Sequence, residues 1–598
     1  MIKKIIKLFN LLTPIQQKQF YYLQILIILM SFAEIFGIAS IIPFMSLVGD
    51  MSQIEENATI KSFYILSGVN TESEFLILVG VLVLCALLIS SLISMFTIWK
   101  LSMFANKVGV EISDRLYSYY LKQDWLFHAS GSSSALIKKI ANETQRVTGA
   151  VIMPLMLMNA KFLLSLLLAT SIFIYDPVVA IIGLSIFGVT YFIIYKIIKI
   201  RLIKNGQAVS DVAEKRFRLM NEGFGGVKDI LLLGRDNDFI NRFNQSGNIF
   251  ARSQGENQAL SQMPRYFMEL VAFSSMIMLV LFLIINNNGD LGIILPVVSV
   301  YILASFKILP ALQAIYSSVT KIRGNIAAFE SIEKDLTDSM KTIYEHYNED
   351  LSIIKFNKDI SLHDITFNYP GKDKPILNKF NINIPVNSLI GIVGPSGAGK
   401  STLIDILLGL IEPQNGCLKV DDVIINDSNQ RSWKNTIGFV AQNIFLSEGT
   451  IAENVAFGIP GDKIDYTQVK KVLDLAYLTD FIESLENGIS TSVGERGIQL
   501  SGGQRQRIGI ARALYHEAQV LVFDEATSSL DGVTEKYIMK AINNFSGKKT
   551  IILIAHRLKT VKNCDKIFFI DNGKVMDSGT YLELIEKNEY FKNMAKHT

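Results

Sequence analysis

The chain has 598 residues, of which 49% are hydrophobic and only 19% charged, against about 25% charged in ordinary globular chains. That length exceeds a single hydrophobic core, and the shortage of charge points to a membrane protein of more than one domain. With 58 basic and 55 acidic residues the net charge is +3, too even for a nucleic-acid partner, and Cys85, Cys417 and Cys564 form no CxxC pair, which excludes a disulfide framework and a zinc site.

Apolar runs near the about 20 residues that cross a bilayer core occur at 20–48, 75–99, 151–175, 177–200, 266–285 and 291–309. Six spans are therefore expected, within a membrane domain at 1–325 that a linker at 326–349 follows. Orientation comes from the basic residues. Lys3, Lys4, Lys7 and Lys18 precede the first span, Lys100 to Arg146 includes seven Lys and Arg residues, and Lys199 to Arg218 carries six more. This bias puts those segments, and both termini, on the cytoplasmic side. The stretch 5–12 is short and interrupted by Lys7 and Asn10, so it is not read as a cleaved signal. The long connections 100–150 and 201–265 extend the membrane helices into the cytosol, with turns near 124–134 and 222–234 as candidate docking elements for another domain.

Ionisable side chains inside spans are costly and mark a pathway. Glu34 lies about 14 residues into the first span, about 21 Å at 1.5 Å per residue. Arg265 and Glu269 are spaced i, i+4 at the start of the fifth span, while Lys161 and Lys307 sit in apolar stretches. Glu34, Arg265, Glu269 and Lys307 are the candidate substrate contacts. The competing reading makes Glu34 a polar link between helices and lets Arg265 and the lysines snorkel to the interface.

From residue 350 to 598 the pattern changes to short β-branched runs, glycine turns and amphipathic helices, an α/β domain. The apolar run 389–393 leads into GPSGAGKST at 394–402 and then into helix formers. This is a phosphate-binding loop: Gly394, Ser396, Gly397 and Gly399 lend backbone N–H groups, Lys400 adds a point charge, Ser401 offers a hydroxyl to Mg2+, and Thr402 opens the helix. Downstream, the run 520–523 ends in Asp524, placed to support a metal and its water, and Glu525, placed to polarise an attacking water. Between these lie Ser501, Gly502, Gly503 and Gln504 ahead of a helical stretch, an anion site built from N–H groups and a helix dipole.

With these motifs in this order, residues 350–598 resemble the ATP-binding cassette family, and the six spans ahead resemble its exporter arrangement: a six-helix bundle of the type IV exporter kind fused to a cytoplasmic α/β phosphate-loop domain. The resemblance implies ATP and Mg2+ as cofactors, with ATP hydrolysis coupled to transport. It implies that Tyr369 stacks on adenine and that Gln442 reaches the metal, together with Ser401 and Asp524. It further implies that Asp531 communicates across a dimer, that His556 contacts the γ-phosphate beside Glu525, and that 493–497 touches the membrane-domain turns. ATP would lie between the phosphate loop of one copy and Ser501 to Gln504 of another, so the unit is a dimer. A homodimer is the simplest form, and a heterodimer stays open.

Two membrane segments, 32–44 and 263–269, resemble the bacterial flippase of lipid-linked oligosaccharides used for protein glycosylation. This implies export or flipping of an amphipathic, lipid-linked glycan across a bacterial inner membrane by alternating access, with 54–66 as a short outer helix holding a polyprenyl tail. An exporter of drugs, lipids or peptides stays open beside it, as does an ATP-gated channel or regulator. Membrane lipid is an expected partner and nucleic acid is not.

Overall fold

The computed structural model describes residues 2–49, 51, 54, 58–175, 177–286, 291–342, 353–354, 356–372, 374–494, 497–525, 532–555 and 557–596. Two compact units form, Met1–Gln123 with Phe127–His346 and Asp124–Leu126 with Tyr347–Thr598.

Among the described residues, the regular elements of the first unit are all helices. After α1 (Ile2–Asn10), Thr13 caps α2 (Pro14–Ala39) reciprocally: its hydroxyl accepts from Gln16 N at 3.3 Å while Gln16 Oε1 accepts from Thr13 N at 2.8 Å. The apolar run expected as one span breaks at Ser40, and α3 (Ile41–Gly49) follows. Pro43 has no N–H to return to Ala39, so the helical ladder cannot run through unbroken. Next comes α4 (Ala58–Ser67), on the stretch where a short helix is expected, of which residues 55–57 lie outside the described residues. The long helices are α5 (Glu72–Leu121), the rod α6 (Ser133–Ile174) and α7 (Pro177–Gly225). A short α8 (Val227–Leu233) leads to α9 (Asp236–Gln262), α10 (Pro264–Asn286) and α11 (Leu291–Thr342). At 50 residues α5 is about 75 Å long, more than twice the about 30 Å hydrocarbon core.

Among the described residues, four helical stretches are long and apolar enough to cross a membrane: Pro14–Val48, Glu72–Leu121, Ser133–Ile174 and Asp236–Phe282. The predicted runs 177–200 and 291–309 fall on α7 and α11 over stretches only partly described. Outward residues of α5 such as Leu84, Leu88, Ile89 and Leu92 are exposed apolar side chains, which lipid tails rather than water would cover.

Inside the bundle, Leu101, Ala105, Leu116, Val147, Val151, Ile322, Phe329 and Leu336 are buried together, drawing α5, α6 and α11 into one core. Two glycines set the closest approaches. A methyl group on Gly109 would lie 2.0 Å from Thr148 Oγ1, and one on Gly206 would lie 2.2 Å from Gly324 O, so α7 and α11 touch backbone to backbone. The rod α6 also contains two π turns, Lys139–Glu143 and Thr148–Ile152. Around the first of them sits a polar knot: Glu143, fully buried, accepts from Arg146 at 2.9 Å and pairs with Lys138 at 3.3 Å. Arg146 reaches onward to Ser210 Oγ at 2.6 Å and Asn325 Oδ1 at 3.2 Å. Each extra residue of a π turn rotates the side chains after it, which lets one helix present polar groups to α7 and α11 alike.

The second unit is α/β. A six-stranded sheet has the order β10 (Lys574–Gly579), β9 (Lys566–Asp571), β3 (Leu389–Val393), β8 (Thr550–Ile554), β7 (Val520–Asp524), β6 (Ile437–Val440), parallel except for β10. A second, antiparallel sheet runs β2 (Leu377–Pro385), β1 (Asp359–Phe367), β4 (Asn415–Val420), β5 (Val423–Ile424). Strands β3 and β8 are buried at every position, as a sheet covered on both faces requires. One core between the sheets gathers Ile390, Ile392, Phe367, Phe380, Leu403, Trp433 and Ile552. The other lies under α13 (Ile451–Val455), α14 (Tyr466–Leu475) and α15 (Gly502–Tyr515), with Val440, Leu473, Ile508, Phe523 and Leu553.

Candidate functional site

In a parallel sheet the carboxyl ends of the strands open onto one crevice, and ligands bind there. Strand register brings the site residues to that end. Ile392 of β3 faces Ile554 of β8, and Ile554 faces Asp524 of β7, so the exit of β3 and the acidic pair stand one strand apart. Val440 of β6 faces Phe523, which puts Gln442 and Glu525, each two residues further on, side by side.

The loop after β3 turns tightly into α12 (Lys400–Leu407). Gly397 and Gly399 take left-handed φ of 81° and 100°, and a methyl group on Gly394 would lie 2.1 Å from Ile570 O. Glycine is needed at all three, because conformation or space excludes a side chain. Lys400 is buried, and its Nζ donates to Gly394 O and Pro395 O, each at 2.9 Å, arching over the loop it follows. Burial pulls its ammonium below the usual lysine range, with the Glu525 and Asp524 carboxylates working the other way. Tyr369 packs edge-on against Phe367 with ring centres 5.1 Å apart, and its hydroxyl lies 3.3 Å from Thr402 Oγ1, so the aromatic ring borders the start of α12.

Gln442 Nε2 donates to Glu525 Oε2 at 2.7 Å. Glu525 itself has a left-handed φ of 49°, and its N–H donates to Ile554 O at 3.0 Å, which swings its side chain out of the strand direction and towards Gln442. Strained backbone of this kind concentrates at functional positions. Ser501 caps α15: its hydroxyl accepts from Gln504 N at 3.2 Å, and Gln504 Oε1 accepts from Ser501 N at 2.8 Å. Gly502 and Gly503 then form the first turn of a helix 14 residues long. Arg512, on the same helix, donates to Phe445 O and Asn454 O, each at 2.8 Å, fixing the segment after Gln442 to α15. Asp531, His556, Glu495 and Arg496 lie outside the described residues.

One neighbour of this site was not anticipated. Asp405 on α12 accepts from Trp125 Nε1 at 3.3 Å, both within the second unit, and burial pushes its carboxyl up to about 6. No sequence motif announces that pairing.

In the first unit the candidate substrate residues separate into two groups. Arg265 Nε donates to Glu269 Oε1 at 2.7 Å, a pair closed on its own helix. Glu34 instead gathers residues from three other helices: Lys161 on α6 at 3.7 Å, Lys307 on α11 at 3.5 Å, and Ser94 on α5, whose hydroxyl donates at 3.1 Å. Ser94 carried no signal of its own, since a single serine in an apolar run is ordinary.

A phosphate-cradling loop, an acidic pair one strand away and a capped glycine-rich helix define an ATP-hydrolysing cassette, carried here on the same chain as a multi-pass helical membrane unit. Two family models match the chain, ABC transporter over residues 377–528 and ABC transporter transmembrane region over residues 17–308. The chain belongs to the ABC transporters: it binds ATP, and hydrolysis of that ATP is coupled to transport. Among its relatives, the ATP-dependent lipid A-core flippase of Photobacterium profundum is 28% identical over 539 residues, 88% of this chain and 89% of that protein. The ATP-dependent lipid A-core flippase of Wigglesworthia glossinidia brevipalpis is 29% identical over 503 residues, 83% of this chain and 84% of that one. In fold, the chain is similar to a bacterial Atm1-family ABC exporter solved with ATP bound, with a TM-score of 0.77 at 20% identity, covering 98% of this chain and 99% of the other.

Proposed function

We propose that this chain is half of a dimeric exporter that flips an amphipathic, lipid-anchored substrate from the inner to the outer leaflet of a bacterial inner membrane, with both termini cytoplasmic. The division is a membrane domain at 1–325 with six spans, the expected linker at 326–349, into which α11 continues as far as Thr342, and a nucleotide domain at 350–598. The observation that carries the reading is the charge cluster around Glu34, held among apolar membrane helices on a chain whose other unit hydrolyses ATP. Ionisable groups there are costly even when paired, which favours a pathway over a structural ornament. The lipid A-core flippases among the relatives support a lipid-anchored cargo. A lipid-linked oligosaccharide is the particular candidate, on the strength of the segments 32–44 and 263–269.

At the nucleotide site each residue has a task. The N–H groups of Gly394, Ser396, Gly397 and Gly399 hold the phosphates and Lys400 moves its ammonium from loop carbonyls to the β and γ groups. Tyr369 stacks on adenine, and Glu525, steadied by Gln442, accepts a proton from the attacking water while His556 contacts the γ-phosphate. Ser401, Asp524 and Gln442 supply oxygen donors that suit Mg2+, and because Gln442 Nε2 is engaged by Glu525, its amide oxygen is the atom left for the cation. Mg2+ bound there would neutralise phosphate charge. Ser501 to Gln504 close over the ATP of a second copy, with Asp531 carrying the signal between copies. The turns near 124–134 and 222–234 are the candidate docking elements for a nucleotide domain, and the exposed apolar residues Phe224, Leu231, Leu232 and Leu233 on and beside α8 suit that contact.

The test is purified full-length protein in liposomes. Outward movement of a polyprenyl-pyrophosphate glycan, with ATPase stimulation, supports the particular candidate. Stimulation by unrelated amphiphiles alone replaces it with a multidrug exporter, and ion conductance with little turnover replaces both with a gated channel.

A further inference from the structure

The Glu34 cluster does not balance. Two ammonium groups, Lys161 and Lys307, share one carboxylate, with Ser94 donating to the same oxygen that faces Lys161. The other candidate pair, Arg265 with Glu269, is complete by itself and lends the cluster no negative charge. Among the described residues the cluster therefore carries one surplus positive charge. A surplus charge among apolar helices is costly unless a counterion sits against it. Exposure shows where that counterion would arrive: the Glu34 side chain is 7% exposed and Lys161 25%, but Lys307 is 48% exposed. The carboxylate is the buried hub, and the lysines are the outward face.

We propose that Lys161 and Lys307 form a seat for a single anionic headgroup of the phosphate type on an amphiphile, and that Glu34 is its built-in competitor. The carboxylate is paired to both ammonium groups and must give them up to the ligand. An arriving phosphate oxygen takes Lys307 first and then shares Lys161, so its charge cancels the surplus, while Glu34 keeps Ser94. This deepens the flipping reading and rests on it for the identity of the ligand as cargo, but the charge count stands apart from that reading. The surplus charge selects an anionic phosphodiester or diphosphate headgroup over a neutral one, because a neutral headgroup leaves the surplus in place.

The experiment measures equilibrium binding of dihexadecyl phosphate to the full-length protein in neutral detergent, with dioleoylglycerol and inorganic phosphate as the other arms. Lys307→Gln and Lys161→Gln are each expected to weaken dihexadecyl phosphate about tenfold or more, the loss of one charge-assisted contact. Glu34→Gln is expected to tighten it several-fold, the opposite sign. A mere link between helices would move all three variants the same way, so weaker binding by Glu34→Gln overturns the seat, as does equal binding of dioleoylglycerol. Because Lys307 is half exposed, its substitution tests the seat even where a change at the hub disturbs folding. Competition by inorganic phosphate at the lipid's own concentration would assign the site to free phosphate and overturn the headgroup assignment. Charge-dependent binding without ATP-driven lipid movement in liposomes would sink the flipping reading and leave the seat standing; lipid movement with no charge dependence would do the reverse.

Discussion

The two units place their chemistry in opposite ways. In the nucleotide unit every task falls to a short contiguous motif, because backbone N–H groups at strand and helix ends do most of the binding and the chain need only turn correctly. In the membrane unit the proposed substrate residues are Glu34, Ser94, Lys161 and Lys307, drawn from four helices, and only Glu34 stands out alone. A loop that binds with its backbone is written locally. A cluster that binds with side chains in an apolar medium is written in the packing.

The largest test of this contrast is local. Glu525→Gln keeps the shape that Gln442 grips but removes the base, so ATP turnover by the full-length protein should fall about 100-fold or more while ATP stays bound. Retained hydrolysis would show that the contiguous motif does not hold the base. The matching change in the membrane unit is Glu143→Ala. It leaves Arg146 and Lys138 without their buried carboxylate, a loss of about 3–5 kcal/mol read as a lower unfolding temperature. Unchanged stability would mean that the knot is not what ties α6 to α7 and α11.

Gly206→Val should cost less, about 1–3 kcal/mol, as α7 and α11 are forced apart around the new side chain. A crosslinking or distance measurement between the two helices would register the separation. The smallest effect belongs to Asp405. Its carboxyl in the fold titrates near 6, above its ordinary value of 3.8, so the unfolded chain ionises first and the fold loses stability as pH rises through that window. Asp405→Asn should therefore raise the unfolding temperature modestly at pH 8 and not at pH 4. An equal gain at both values would remove burial of the charge as the cause.

How much of this was readable beforehand follows the same division. The phosphate loop, the acidic pair after β7 and the glycine helix stood in the sequence with their strand or helix context, and the geometry unites Gln442 with Glu525 as neighbours. The break after Ala39 was not expected, although Pro43 lies in the run, because hydropathy alone does not register a missing N–H. Glu34 stood out as a charge in a span, whereas its partnership with both lysines did not, because reach across helices depends on rotation and depth that no periodicity fixes. The π turns in α6 had no local signal at all. They are held by contacts such as Arg146 to Ser210 and Asn325, formed only once the helices are side by side.

The meeting of Gly206 with Gly324 O has a mechanical corollary. Most helix pairs are cushioned by side chains whose rotamers absorb a displacement before it crosses the interface. Here nothing compliant lies in between, so a shift of α11 at that height is handed to α7 undamped, as between two gears in mesh.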